Sequence, residues 1–131
     1  MDSYIFIAKE DSIDHIRCIR DLGCCYWWKK CGRGKRHMEV GDIVYLFISD
    51  KIHDRVMYRM EVASTHSTRD DAKYWKVKFE PDNDCFKFQN ISPAYTGIHL
   101  NRQDLEDHGI KRQILYKKLN QEQTDWLEKY F

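Results

Sequence analysis

Met38-Glu39-Val40-Gly41-Asp42-Ile43-Val44-Tyr45-Leu46-Phe47-Ile48-Ser49 is the stretch whose reading decides the fold. A Gly-Asp turn runs straight into an unbroken apolar run rich in β-branched and aromatic residues, the pattern of a strand entering a small β-barrel. A polar loop over 49–54 follows. Beyond it, Arg55 to Thr65 sets Val56, Tyr58, Met60 and Val62 against Met57, Arg59 and Glu61, and this period-two alternation predicts the partner strand.

Working outward, Tyr4-Ile5-Phe6-Ile7-Ala8 predicts a buried first strand. Ser12 offers a helix N-cap, Ile13, Ile16, Ile19 and Leu22 recur at helical spacing, and Gly23 supplies the stop. On the other side, Tyr74 to Phe79 alternates rings or valine with lysine and reads as a half-solvated strand. The turn cluster Pro81-Asp82-Asn83-Asp84 should return Cys85 to Gln89 beside it. A short helix is expected over 101–108, ending at Gly109. A closing helix over 124–131 would dock Trp126, Leu127 and Tyr130. No internal repeat or linker divides the chain, so residues 1–131 are read as one domain.

At 131 residues the chain can bury about 70% of its unfolded surface, so neither metal nor disulfide staples are required. Its formal charge of only +1 excludes a whole-molecule cationic field, and any affinity for nucleic acid has to come from local clustering. Cysteines at 18, 24, 25, 31 and 85 form no C-x-x-C pair. Their odd number fits reduced thiols and a cytoplasmic protein. The vicinal Cys24-Cys25 pair reads as two small buried apolar side chains. Asp2 stands where a secretory leader would carry positive charge, and the apolar run over 4–8 is too short to span a membrane.

Signals for catalysis or a cofactor are weak. Glu80-x-Asp82-x-Asp84 lacks the glycine and distal glutamate of a calcium loop and reads as a solvated turn. The histidines at 15, 37, 53, 66, 99 and 108 are dispersed, with no two at i, i+4. A binding module rather than an enzyme is expected, with no metal and no cofactor.

The strongest local cluster lies just upstream of the opening stretch. Cys24-Cys25-Tyr26-Trp27-Trp28 is followed by Lys29-Lys30-Cys31-Gly32-Arg33-Gly34-Lys35-Arg36-His37, with five Lys or Arg in nine residues and no acid. Two glycines make this a flexible loop whose cations can follow a phosphate backbone and release counterions. The alternative is a solvated charged loop. The adjacent indoles either wall a ligand pocket or plug the mouth of a barrel as core. Strict alternation would turn one inward and the other toward solvent, and Trp28 is favoured as the pocket ring.

The order of these elements resembles the PUA-like superfamily, most closely its EVE-type domains, which occur alone or joined to HNH endonucleases. The resemblance rests on Val40-Gly41-Asp42-Ile43-Val44-Tyr45-Leu46-Phe47-Ile48-Ser49, on Val56-Met57-Tyr58-Arg59-Met60-Glu61-Val62, and on a tail from Leu100 to Phe131 carrying Leu105, His108-Gly109-Ile110-Lys111 and Ile114. It implies an α+β fold, a PUA-like mixed β pseudo-barrel with short flanking helices. It also implies a reader of nucleic acid in which a flipped base, such as a methylated cytosine, sits against aromatic rings.

On that footing Trp27, Trp28, Ser49, Asp50 and Trp75 are the candidates for a base pocket, and Lys29, Lys30, Arg33, Lys35 and Arg36 for phosphate contact. Each has a plainer role. Trp75 can be core, and Asp50 can cap its own turn. The rim would include Lys9-Glu10-Asp11 by the same analogy. The implied partner is nucleic acid, with modified DNA favoured over RNA and a nuclease as associated effector. A protein-interaction domain with an aromatic cleft is the other reading.

Overall fold

The structure, a computed structural model, describes residues 1–32, 34–111 and 115–131. In chain order the elements are β1 (Ser3–Lys9), α1 (His15–Leu22), β2 (Cys24–Trp28), β3 (Lys30–Cys31), β4 (Gly34–Lys35), β5 (Ile43–Ser49), β6 (Arg55–Ser67), β7 (Cys85–Asn90), α2 (Arg102–Asp107), β8 (Tyr116–Lys118) and α3 (Gln121–Glu128). Six strands form one mixed sheet in the order β2-β7-β6-β5-β1-β8, while β3 and β4 make a separate two-stranded hairpin. Among the described residues only β1 and β5 run parallel, in register from Ser3 opposite Ile43 to Lys9 opposite Ser49.

The Gly-Asp turn locks that parallel pair at its start. Gly41 adopts φ +96° and donates its N–H to the Val62 carbonyl (3.0 Å), while buried Asp42 accepts from the backbone N–H groups of Asp2 (2.9 Å) and Glu39 (2.8 Å). One carboxylate thus joins the beginnings of β1 and β5. Both strands read as continuous apolar runs because both faces of the sheet are covered. Tyr4, Phe6, Ala8, Val44, Leu46 and Ile48 join α1, Trp27 and Phe88 in one core, whereas Ile5, Ile43, Tyr45 and Phe47 pack with Leu105 and Leu127 of α2 and α3 in the other. The terminal helix is tied down by Glu128, which accepts from Arg59 Nε (2.7 Å) and from the Tyr45 hydroxyl.

The pseudo-barrel is a curled, open sheet. Register shifts in β6, opposite Leu46/Phe47 of β5 and again between Val62 and Ser67, bend it. Phe6 of β1 consequently meets Trp27 of β2 edge-on at 5.1 Å, although three strands separate them in the sheet. Among the described residues the edges themselves do not pair. Arg36 bridges the seam by donating Nη1 to the carbonyls of Trp28 (2.8 Å) and Lys30 (3.0 Å), with its guanidinium 5.5 Å from the Phe6 ring centroid and 5.6 Å from that of Tyr116.

Several expectations need correction. Residues 74–79 are not a strand: Ala72–Tyr74 is a 3₁₀ turn and Trp75 makes a lone bridge to Ile13. The reason is competition for partners, since β7 is flanked by β6 on one side and β2 on the other, leaving that segment no edge. Residues 24–28, which carry no alternation, become an edge strand because β7 offers them a ladder. Asp14, not Ser12, caps α1 by accepting from Arg17 N (3.1 Å), and the buried face is His15, Cys18 and Ile19, with Leu22 largely exposed. The closing helix begins at Gln121, earlier than expected. Strand β8 was not anticipated. Among the described residues, no helix is long and apolar enough to cross a membrane.

A buried ion pair organises the irregular stretch between β6 and β7. Arg69 donates Nη2 (2.7 Å) and Nε (3.1 Å) to Asp71, whose carboxylate also accepts from Trp75 Nε1 (3.1 Å); the two charged side chains are 2% and 1% exposed. Asp71→Ala should lower the unfolding free energy by about 3–5 kcal/mol because it strands a buried guanidinium. The double change Arg69→Met with Asp71→Leu should recover most of that loss, as read from urea midpoints. At Gly41, Ala forces a side chain into left-handed backbone and should cost about 1–2 kcal/mol, whereas Val40→Ala, at an exposed position, should leave the midpoint unchanged.

Candidate functional site

Where the seam is bridged rather than paired, a cavity of about 230 Å3 remains. Ile7 and Lys9 of β1 border it on one side and Trp27 and Trp28 of β2 on the other, and Ser12, Ile13, His15 of α1, Arg36, Phe79 and Leu115 complete the wall. That volume is below the roughly 300–1,000 Å3 of pockets for drug-sized ligands.

Both indoles border this space despite being neighbours in a strand. Trp27 faces inward, 9% exposed, its ring 5.5 Å from that of His15 and inclined to it by 28°. Trp28 lies at the end of β2 and is half-buried, edge-on to Phe79 at 5.0 Å, with the Arg69 guanidinium stacked 4.0 Å from its centroid. Arg69 is itself held by Asp71, so Trp28 rests on a fixed cationic support. Trp75 is not part of the cavity wall. It packs edge-on against Phe79 at 5.3 Å and so backs the ring that is.

Ser49 and Asp50 lie elsewhere, in an open concavity of about 790 Å3 with Arg17, Arg20 and Lys76, adjoining the aromatic cavity through Lys9. Ser49 Oγ accepts from Arg102 Nη2 (3.0 Å). Asp50 accepts from the backbone of Ile52 (2.9 Å) and His53 (2.5 Å) and contacts the His53 ring (2.8 Å). Burial alone would raise the Asp50 carboxyl, but these hydrogen bonds outweigh it and hold the group below its ordinary value.

The basic segment divides into distinct roles. Lys29 donates to Asp84 (2.6 Å) and contacts His66 (2.8 Å). The hydrogen bond from Lys29, reinforced by His66, holds the Asp84 carboxyl below its usual range. Arg36 bridges the seam as described. Lys30 and Lys35 face each other across the hairpin, exposed and without an ion pair among the described residues, beside a 450 Å3 recess shared with Glu80 and Asp82. Arg33 lies outside the described residues, as does Ile114 of the tail.

Sequence reasoning passed over Arg69, Phe79 and His15. Arg69 sits in a polar stretch that reads as solvated, and only the rings folded over it reveal its burial. His15 falls on the buried face of α1 because the helix starts behind Asp14 rather than Ser12. Three buried thiols are poor nucleophiles: burial pushes Cys18 up to about 12 and Cys85 up to about 11, and lifts Cys25 well above the ordinary thiol value. Among the described residues, no group of three or more His, Cys, Asp or Glu is placed to hold a metal ion.

A scan against protein-family models gives no match, and neither does a search of curated proteins by sequence. Solved structures do match. A hypothetical protein from Leishmania major is 12% identical with a TM-score of 0.62, covering 98% of this chain and 93% of that one. A mutant of the ZmASCH protein from Zymomonas mobilis is 9% identical with a TM-score of 0.64, covering 98% of both chains. Human THYN1 protein in complex with 5-methylcytosine containing DNA is 11% identical with a TM-score of 0.57, covering 97% of this chain and 95% of that one. At such identities the likeness is one of fold alone: this chain shares the α+β, PUA-like architecture of those proteins, a mixed six-stranded sheet with short helices.

Proposed function

We propose that this chain is a nucleic-acid reader that accepts one extruded base, with a modified cytosine in DNA favoured, and that it does no chemistry on that base itself. The observation that carries the reading is the aromatic cavity of about 230 Å3 on the open seam, walled by Trp27, Trp28, Phe79 and His15. Removing a base from a duplex costs a few kcal/mol, which stacking and edge hydrogen bonds in a pocket must offset. Aromatic stacking contributes about 1–3 kcal/mol per base. The likeness to THYN1 protein, solved with 5-methylcytosine containing DNA, supports the same reading.

In this reading the exposed Lys30 and Lys35 meet the backbone, while Lys29 and Arg36 hold the protein together. Cutting, where it follows recognition, falls to a partner nuclease. An RNA strand is the alternative polymer, and the same cavity would take its base.

The experiment is direct binding of oligonucleotides with and without a single 5-methylcytosine, as DNA and as RNA. Trp28→Ala and Phe79→Ala should each weaken binding of the modified strand by roughly 5- to 150-fold while the chain stays folded by circular dichroism. Equal affinity for plain and methylated strands would remove the modified-base reading. For the backbone, Lys30→Ala with Lys35→Ala should flatten the dependence of log affinity on log salt by about 0.9 for each phosphate of duplex DNA that the variant no longer neutralises. An unchanged slope would mean the hairpin stands clear of the polymer.

A further inference from the structure

At the wall of the aromatic cavity lies a buried polar pair that stacking alone does not require. Glu10 and His15 are 6% and 5% exposed. Glu10 Oε1 accepts the backbone N–H of His15 (3.2 Å) and lies 2.9 Å from its ring Nδ1. His15 borders the cavity, whereas Glu10 lies behind it, on the side of the larger concavity. Nε2 makes no hydrogen bond to any described residue. An imidazole's two nitrogens point in opposing directions, so a ring whose Nδ1 is turned back to Glu10 presents Nε2 away from it, to the cavity side.

The chemistry of the pair then follows. An ionised carboxylate only accepts, so the proton of the neutral imidazole sits on Nδ1 and Nε2 is left as a lone pair. The backbone hydrogen bond from His15 to the same oxygen fixes Glu10 in turn, in the manner of an outer partner that sets a histidine's tautomer. We infer that the Glu10–His15 pair selects, within the aromatic cavity, a base bearing an exocyclic amino group over one bearing a carbonyl at that position. This deepens the proposed reader function and rests on it. An amino group donates to the Nε2 lone pair. A carbonyl oxygen meets it lone pair to lone pair, leaving two buried acceptors facing each other without a proton. His15 is the group that touches the base, and Glu10 acts through it as a positioning residue.

5-Methylcytosine and thymine provide the test, since they share the ring methyl group and differ along the edge where cytosine carries its amino group. Single-stranded oligonucleotides identical but for that one base remove any contribution from duplex pairing. At pH 8 the wild-type chain should bind the 5-methylcytosine strand about ten-fold or more tightly than the thymine strand. The double variant Glu10→Gln with His15→Phe keeps an acceptor for the backbone N–H of residue 15 and a ring against Trp27. It should bind the two strands within about two-fold of each other while retaining stacking affinity. His15→Gln, whose amide oxygen accepts the same donor, should restore part of the preference. Equal binding of both strands by the wild-type chain overturns the inference and leaves the reader function standing. A preference that survives in the double variant also overturns it. Absence of binding to either strand, or to any oligonucleotide, overturns the reader function and this inference with it. Should the double variant fail to fold, the wild-type ratio and His15→Gln still decide the matter.

Discussion

The two edges of the sheet meet without pairing, and the rest of the molecule is arranged around that fact. Curling is required to bury Phe6, Trp27 and Phe88 against one another, and the bulged β6 supplies the bend. Full closure would need a backbone ladder between β2 and the β1–β8 edge. Arg36 takes the place of that ladder, its guanidinium donating to carbonyls at the end of β2 while lying near the rings of Phe6 and Tyr116. A planar cation satisfies both demands, whereas lysine, a point charge on a flexible stem, would not. Because a side chain bridges the seam where a strand would otherwise run, a cavity remains beside it.

The walls of that cavity are held from behind by charged groups that never reach it. Asp71 orients Arg69, Arg69 supports Trp28, and Trp75, itself bonded to Asp71, backs Phe79. A ring fixed this way loses little freedom on stacking with a ligand, which favours binding. The same economy of charge explains how a chain of formal charge +1 is organised. Lys29 and Arg36, from its most basic segment, are engaged in intramolecular contacts, and Lys30 and Lys35 stand beside the acidic turn at Glu80 and Asp82. In the proposed reader, ring stacking therefore has to contribute more than counterion release.

Much of the fold was legible because its signals are local. The apolar runs of β1 and β5, the alternation in β6 and the Gly-Asp turn each act within a few residues. The errors fell where a segment's state depended on who paired with it. Residues 74–79 carry a strand's alternation yet find no free edge, and 24–28 carry none yet are recruited by β7. Ser49 and Asp50 lie where the central strand runs out, but the concavity they border is a different one from that of the indoles.

By itself the sequence determined which side chains were available: adjacent indoles, a cation-rich loop, and apolar strands long enough to be covered on both faces. It did so because residue type and short-range spacing are written along the chain. Only the tertiary structure decided that Arg36 bridges while Lys30 and Lys35 remain exposed, that Arg69 is buried beneath Trp28, and that Glu10 and His15 come to lie behind and beside an aromatic cavity. Those outcomes depend on how far the sheet curls, and curl is a property of all six strands together rather than of any one of them.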